Sequence, residues 1–237
     1  MTIIGGRVLN FSFLSKYSWY YINGAKNTMI LTCIALLFGI ILGLIFALCR
    51  LSNNKALKYA AIAYIEIIRG TPLLIQIMIL YFGITQYISF PEIPALSKLV
   101  GYNSSDFMAG ATAVAMNSGA YVAEIIRAGI QSIDKGQMEA ARSLGLTYSM
   151  SMRYIIIPQA FKNILPALGN EFVTLIKETS IVSVIGIMEL TKAGDIVRGA
   201  TAKGFEPLII AAVIYFSMTF IASKLVGLLE RRARVSD

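Results

Sequence analysis

The chain contains no histidine and only two cysteines, Cys33 and Cys49, among its 237 residues. A Cys/His zinc centre and a His-based catalytic triad are thereby excluded, because each depends on ligands or a base that the sequence does not hold. Both cysteines fall within one apolar run, where a thiol reads as a small buried hydrophobe, so no disulfide framework follows. Charge is scarce as well. Asp, Glu, Lys and Arg make up 14% of the residues, against about 25% in an ordinary soluble domain. What replaces charge is apolar surface: 57% of the residues are hydrophobic and the mean hydropathy is +0.69, which places the chain in a bilayer. The formal charge of +8 suits a nucleic-acid binder in sign, yet the cations are too few to form a basic face, and no nucleic-acid partner is expected. No GxxxxGK[ST] phosphate loop occurs, so ATP has no recognisable site on this chain.

A hydrocarbon core about 30 Å thick needs roughly 20 apolar residues in a helix. Stretches between charges give five such spans. The first runs from Asn27 to Cys49, between Lys26 and Arg50. It is too long for a typical signal-peptide core and lacks a small-residue cleavage site, so it is expected to remain as a helix. The second covers Gly70 to Pro91, with its helix starting near Ala56. The third covers Phe107 to Ala123 and continues through Glu124 and Arg127. The fourth starts near Lys162 and ends around Met188, and the fifth covers Pro207 to Ser223. Counted by loop, twelve lysines and arginines fall on one side and seven on the other. Cations accumulate on the cytoplasmic side, so the N-terminus is expected outside and the C-terminus inside. The expected fold is therefore an all-α, five-helix membrane protein forming a single domain over residues 1–237.

Between the third and fourth spans lies a polar loop, about 130–160, too long for a simple connection. Asp134 is an N-cap candidate with Gln137 three positions on, a capping-box arrangement, and QMEAARSL favours helix. Gly145 suits the left-handed position past that helix, and Thr147 caps a second short helix through Ile156, which Pro158 interrupts. The first helix is expected to present Ala140 and Ala141 as a small-residue face. On helix signals alone the segment also reads as an amphipathic connector.

The spacing Glu139-Ala140-Ala141, three residues, Gly145, nine residues, Ile155, one residue, Ile157-Pro158 resembles the EAA signature of ABC-transporter permease subunits. The family pattern has Leu where this chain has Ile157, a mild departure. NGAKNTMILTC, IEIIRGTPLLIQIMILYFGI, MNSGAYVAEIIRAGIQSI and PALGNEFVTLIKETSIVSVIGIMEL look like the polar amino-acid uptake permeases of the histidine, glutamine and arginine type. The resemblance runs from about Asn23 to Arg231. It implies a transport subunit of a multi-pass importer in the bacterial cytoplasmic membrane, not an enzyme. It further implies a separate ATP-hydrolysing subunit that holds ATP and Mg, a second permease copy or close homologue, and an external amino-acid-binding protein. Glu139, Ala140, Ala141 and Gly145 are then the residues expected to couple to the ATPase subunit. The reading from another class is an ion-gradient-driven secondary transporter or channel subunit, in which intramembrane carboxylates are coupling sites.

Charges inside a bilayer are costly and usually face a cavity or a partner. Glu66/Arg69 and Glu124/Arg127 lie at i,i+3, a spacing that allows ion pairs along one helix. Glu171 and Glu178 are seven residues apart and share a helix face with Thr174, while Asn117, Tyr121 and Glu124 form a similar stripe. Two polar stripes suggest a lined path, and its carboxylates favour a cationic or dipolar amino acid. Asn117, Glu124, Glu171, Glu178 and Asp195 are the candidate cargo contacts, packing and gate closure being the bland alternatives. Pro72, inside the second span, removes a helix hydrogen bond and is expected to kink the helix there. The segment Glu178 to Ile187 reads as unwound or as continuing helix. Gly39 and Gly43 form a GxxxG that permits close helix packing.

Overall fold

A computed structural model describes residues 3–4 and 7–234, with side chains from 9 to 231. Helices dominate; a two-residue antiparallel pairing, β1 (Ile3–Ile4) with β2 (Arg7–Val8), is a small departure from the all-α expectation. The remaining elements are α1 (Leu14–Leu51), α2 (Lys55–Gly70), α3 (Leu73–Met78), α4 (Pro94–Val100), α5 (Ser104–Gln131), α6 (Lys135–Ser143), α7 (Tyr148–Ser151), α8 (Ile157–Glu178), α9 (Leu190–Thr201) and α10 (Glu206–Arg234). Among the described residues, α1 and Glu206–Arg231 of α10 are each long and apolar enough to cross a membrane. A third crossing is added if the broken pair Lys55–Gly70 and Leu73–Gln86 counts as one span.

Helix ends follow caps and turns rather than charges. α1 begins thirteen residues before Asn27 and contains 38 residues, about 57 Å at the rise of an α-helix. Neither Lys16 nor Lys26 stops it, because a lysine is a good helix former. α2 is capped by Asn54, whose side chain accepts from Ala56 N–H at 2.9 Å, and ends at Gly70. Thr71 and Pro72 are both extended, at φ −118° and −63°. A residue before proline is sterically pushed from helical geometry, so the helix breaks here, at the position where Pro72 was expected to kink it. Past α3 the chain widens through Ile79–Gly83 and tightens through Ile84–Gln86. The loop that follows contains α4, with Pro94 in its first turn and Gly101 at φ +88° closing it.

The chain divides into two compact units. One comprises Met1–Ala35, Pro72–Val114 and Leu175–Phe220. Its core joins Phe13, just before α1, and Tyr21 of α1 to Leu190 and Val197 of α9 and Ala211 of α10. Polar ties fix the packing: the Tyr21 hydroxyl donates to Pro207 O at 3.0 Å, and the Asn27 amide donates to Val100 O at 3.0 Å and Met188 O at 2.7 Å. The other unit comprises Leu36–Thr71, Ala115–Thr174 and Ile221–Asp237. Ala47, Ile65 and Ala123 meet in its core, and the Phe46 and Tyr64 rings stack with centroids 3.8 Å apart.

The GxxxG glycines pack within the chain. A Cβ on Gly39 would lie 2.8 Å from Ser118 Oγ, and one on Gly43 would lie 2.5 Å from Val122 Cγ1. α1 and α5 therefore touch backbone to side chain, and overpacking there costs about 1–3 kcal/mol. Gly43→Leu is expected to lower the unfolding midpoint of the purified protein by several degrees. Gly227→Ala, where a Cβ meets nothing within 4 Å, is the neutral control. The cysteines are not buried: Cys33 is exposed and Cys49 half-buried. A helix that is apolar on all sides has no need to turn a thiol inward.

Candidate functional site

The polar loop folds as two capped turns. Asp134 caps α6, its carboxylate accepting from Gly136 N–H at 2.7 Å. The capping box is not reciprocated, because the Gln137 carbonyl oxygen instead accepts from the Gln159 amide at 3.5 Å. At the far end Gly145 takes φ +83°. Its N–H donates to Arg142 O at 3.1 Å, while Leu146 N–H donates to Ala141 O at 3.2 Å. That pair of bonds satisfies carbonyls the helix would leave open and defines a Schellman end, in which glycine is favoured for lack of a Cβ. Thr147 then caps α7, accepting from Met150 N–H at 3.3 Å.

Two expectations about this loop need correction. Pro158 does not interrupt a helix; it lies in the first turn of α8, preceded by a wide, π-type turn at Met152–Ile156. The extra residue in that turn relieves the clash a proline ring makes with the preceding turn. The helix expected to start near Lys162 accordingly starts at Ile157. The small-residue face is also divided: Ala140 is exposed beside Glu139, whereas Ala141 is buried at 1% and packs inward. Leu144, 83% exposed, stands next to Gly145. The outward surface of α6 is thus a carboxylate, a small residue and a bare leucine.

Glu124, on α5, is surrounded by cations. Arg50 Nη1 lies 2.7 Å from one carboxylate oxygen and Arg69 Nη1 3.8 Å from the same oxygen, while Arg127 pairs with the other. The Arg69 guanidinium also lies 5.4 Å from the centroid of the Tyr121 ring. The Glu124/Arg127 pairing fits the i,i+3 spacing. Glu66 and Arg69 do not pair, since Arg69 turns to Glu124 on another helix.

Asn117, 3% exposed, and Glu171, 9% exposed, are buried. The Ser118 hydroxyl donates to Glu171 Oε1 at 2.8 Å. α8 runs unbroken to Glu178, its last residue, so the seven-residue spacing from Glu171 is kept on one helix. Glu178 belongs to the unit containing α9, and Glu171 to the other. Beyond Glu178 the chain neither unwinds nor continues as α-helix. It tightens into a 3₁₀ helix through Ile185 and stops at Gly186, φ +86°. Asp195 is half-exposed and paired with Arg198 at 2.6 Å.

Glu189 was not singled out by sequence reasoning, and the fold gives it a central place. Fully buried, it caps α9 by accepting from Thr191 N–H at 2.8 Å and Lys192 N–H at 2.7 Å. The Tyr215 hydroxyl of α10 donates to it at 2.5 Å. The position directly before a helical run was its only signal, a weak one, because glutamate is an uncommon cap. The same unit has a cavity of about 380 Å³ lined by Tyr81, Phe82, Gln86, Phe90, Ser105 and Asp106.

Residues 39–235 match the family described as "Binding-protein-dependent transport system inner membrane component". Over 229 residues the chain is 42% identical to a putative glutamine transport system permease protein of Rickettsia bellii, covering 95% of this chain and 100% of that one. It is 39% identical over 229 residues to an arginine transport system permease protein of Bacillus subtilis, covering 97% and 99%. A solved structure, an amino acid ABC transporter with histidines, superposes with a TM-score of 0.85 at 51% identity, covering 95% of this chain and 100% of that chain.

Proposed function

Since the chain belongs to the inner membrane components of binding-protein-dependent transport systems and is the permease subunit of an amino-acid ABC importer, we propose that it carries a basic or polar amino acid such as arginine, lysine, histidine or glutamine. The support is chemical. Glu171 is a carboxylate buried on the same helix as Glu178 and accepts from the Ser118 hydroxyl, and Asn117 is buried one residue before Ser118. We propose as cargo contacts Asn117 and Glu171 of one unit and, separately, Glu178 of the other. Glu124 and Asp195 already have arginine partners, and their proposed role is to hold those arginines.

The observation that carries the coupling reading is the separately capped α6, with Glu139 and Ala140 exposed on it and Leu144 exposed at its end. In this reading the loop 130–160 seats in a groove of an ATPase subunit, which holds ATP and Mg, and Ala140 permits close approach. Residues 1–237 act as one permease domain with five membrane crossings, the N-terminus outside and the C-terminus in the cytoplasm. A second permease copy and an external binding protein complete the importer.

The test is ATP hydrolysis by the assembled complex, screened across the amino acids with the binding protein present. Stimulation by basic or amide amino acids is expected. Stimulation by acidic ones alone would overturn the cargo assignment. Uptake that survived ATP depletion and collapsed with an ion gradient would establish the secondary-transporter reading.

A further inference from the structure

The cluster around Glu124 is unbalanced. Three guanidiniums, from Arg50, Arg69 and Arg127, converge on a single carboxylate. Each guanidinium carries several N–H donors in a fixed fork, whereas a carboxylate has two oxygens. Among the described residues, the other acceptor on the three side chains is the Gln131 amide oxygen, bonded to Arg127, and the other contact is the Tyr121 ring beneath Arg69. Arg50 and Arg69 sit in the last turns of α1 and α2, where the helix dipole is negative and offsets part of the charge. Glu66, one turn before Arg69, makes no ion pair with it among the described residues. A surplus of positive charge and unused donors remains, and it is open to the outside: the side chains of Arg50, Arg69 and Arg127 are 24%, 41% and 27% exposed.

The surroundings indicate what meets it. Leu44, Leu48 and Leu51 form an exposed apolar stripe at i, i+4, i+7 on the last turns of α1, the helix that carries Arg50, and Ile67 is exposed on α2, the helix that carries Arg69. A soluble anion would match the guanidiniums but leave this stripe uncovered. An anion carrying acyl chains matches both.

We propose that Arg50 and Arg69, with Arg127 and Glu124 holding them in place, bind the phosphate of an anionic phospholipid whose chains lie along the Leu44–Leu48–Leu51 stripe. A phosphodiester offers two free oxygens to a planar fork, which favours arginine over lysine in bidentate contact. Basic pockets between helices at the cytoplasmic face are a recurring form of such headgroup sites. Glu124 has a positioning role, keeping mutually repelling guanidiniums together while leaving their outer donors free.

The experiment uses the assembled complex, with Arg50→Gln/Arg69→Gln as the variant; Arg127 and Glu124 remain as a pair, so the α5 ion pair is intact. Wild type and variant are reconstituted with phosphatidylglycerol or phosphatidylcholine, washed in neutral detergent, and their retained lipid counted by native mass spectrometry. Wild type is expected to retain phosphatidylglycerol at least about tenfold over phosphatidylcholine, the reading of about 1.4 kcal/mol. The variant is expected to lose that preference, and Arg50→Lys/Arg69→Lys to keep only part of it. A parallel arm adds inorganic phosphate. Thermal stabilisation of wild type by phosphatidylglycerol but not by phosphate supports the lipid site, and equal stabilisation by both overturns it in favour of a soluble anion. Equal retention of phosphatidylglycerol by wild type and the double glutamine variant overturns the site altogether. A misfolded variant is recognised by loss of assembly, and the single variant Arg69→Gln, whose side chain is the most exposed of the three, is then read against the same outcomes.

Discussion

Glu139→Lys combined with Gly145→Val is expected to leave a complex that assembles but imports at a few per cent of the normal rate, the roughly thirtyfold loss that about 2 kcal/mol gives. Each change removes a different property of the loop. Reversing the charge at the exposed Glu139 replaces attraction by repulsion at the proposed ATPase contact, and losing one partner of a charged contact costs about 2 kcal/mol or more. Valine at 145 must adopt φ +83°, where a β-branched residue is strained by at least about 1–2 kcal/mol. The α6 end then loosens, and with it the direction in which Leu144 and Ala140 point. Uptake should fall by about thirtyfold, as 2 kcal/mol dictates. ATP hydrolysis should lose its dependence on cargo, because the two events are no longer joined. Transport assays in proteoliposomes and co-purification of the subunits check both halves. Normal ATP-dependent uptake by the assembled double variant would remove the loop from the coupling path.

Glu171→Gln together with Glu178→Gln carries the second large effect. Glutamine keeps the volume of glutamate and an acceptor oxygen for the Ser118 hydroxyl, which now lies 2.8 Å from Glu171, so packing survives while two negative charges vanish. A hydrogen bond to a charged partner contributes about 1.5–3 kcal/mol. Losing even one such contact to a cationic cargo should raise the half-saturating concentration more than tenfold. The discriminating comparison is between arginine and glutamine as cargo: the penalty should be larger for arginine, whose side chain carries a cation. An unchanged half-saturation and unchanged ATPase stimulation for both would place the two carboxylates in packing or gating.

Much of this was legible in the residues because it rests on local chemistry. Asp134 and Gly145 bracket α6 through caps that involve neighbours only a few positions away. The GxxxG of α1 pointed to close packing for a reason that needs no partner sequence: two hydrogens leave room. What was hidden depends on long-range neighbours. Arg69 sits at the right spacing to pair with Glu66, yet it pairs with Glu124, 55 residues on, and nothing in EIIRG announces that choice. The small-residue face was divided because a helix packed on the turn at Met152–Ile156 must bury one side, and of the two alanines Ala141 is the buried one. Pro158 was misplaced because a proline in a first helical turn and a proline that breaks a helix look alike until the preceding turn is seen. Glu189 was missed since its acceptors' partners come from the following turn and from Tyr215, 26 residues later.

The ties made by Asn27 bear on how the chain is synthesised. Its amide reaches Met188, 161 residues later. At about 5–20 residues per second, that acceptor leaves the ribosome roughly 8–30 s after Asn27 does. Throughout that interval the first helix holds a buried-to-be amide, along with Thr28, whose native donor Leu190 N–H arrives later still. Unpaired polar groups are costly in hydrocarbon. α1 is therefore expected to linger beside the insertion machinery, and release of the nascent chain into lipid should be timed by the emergence of the Met188–Leu190 segment.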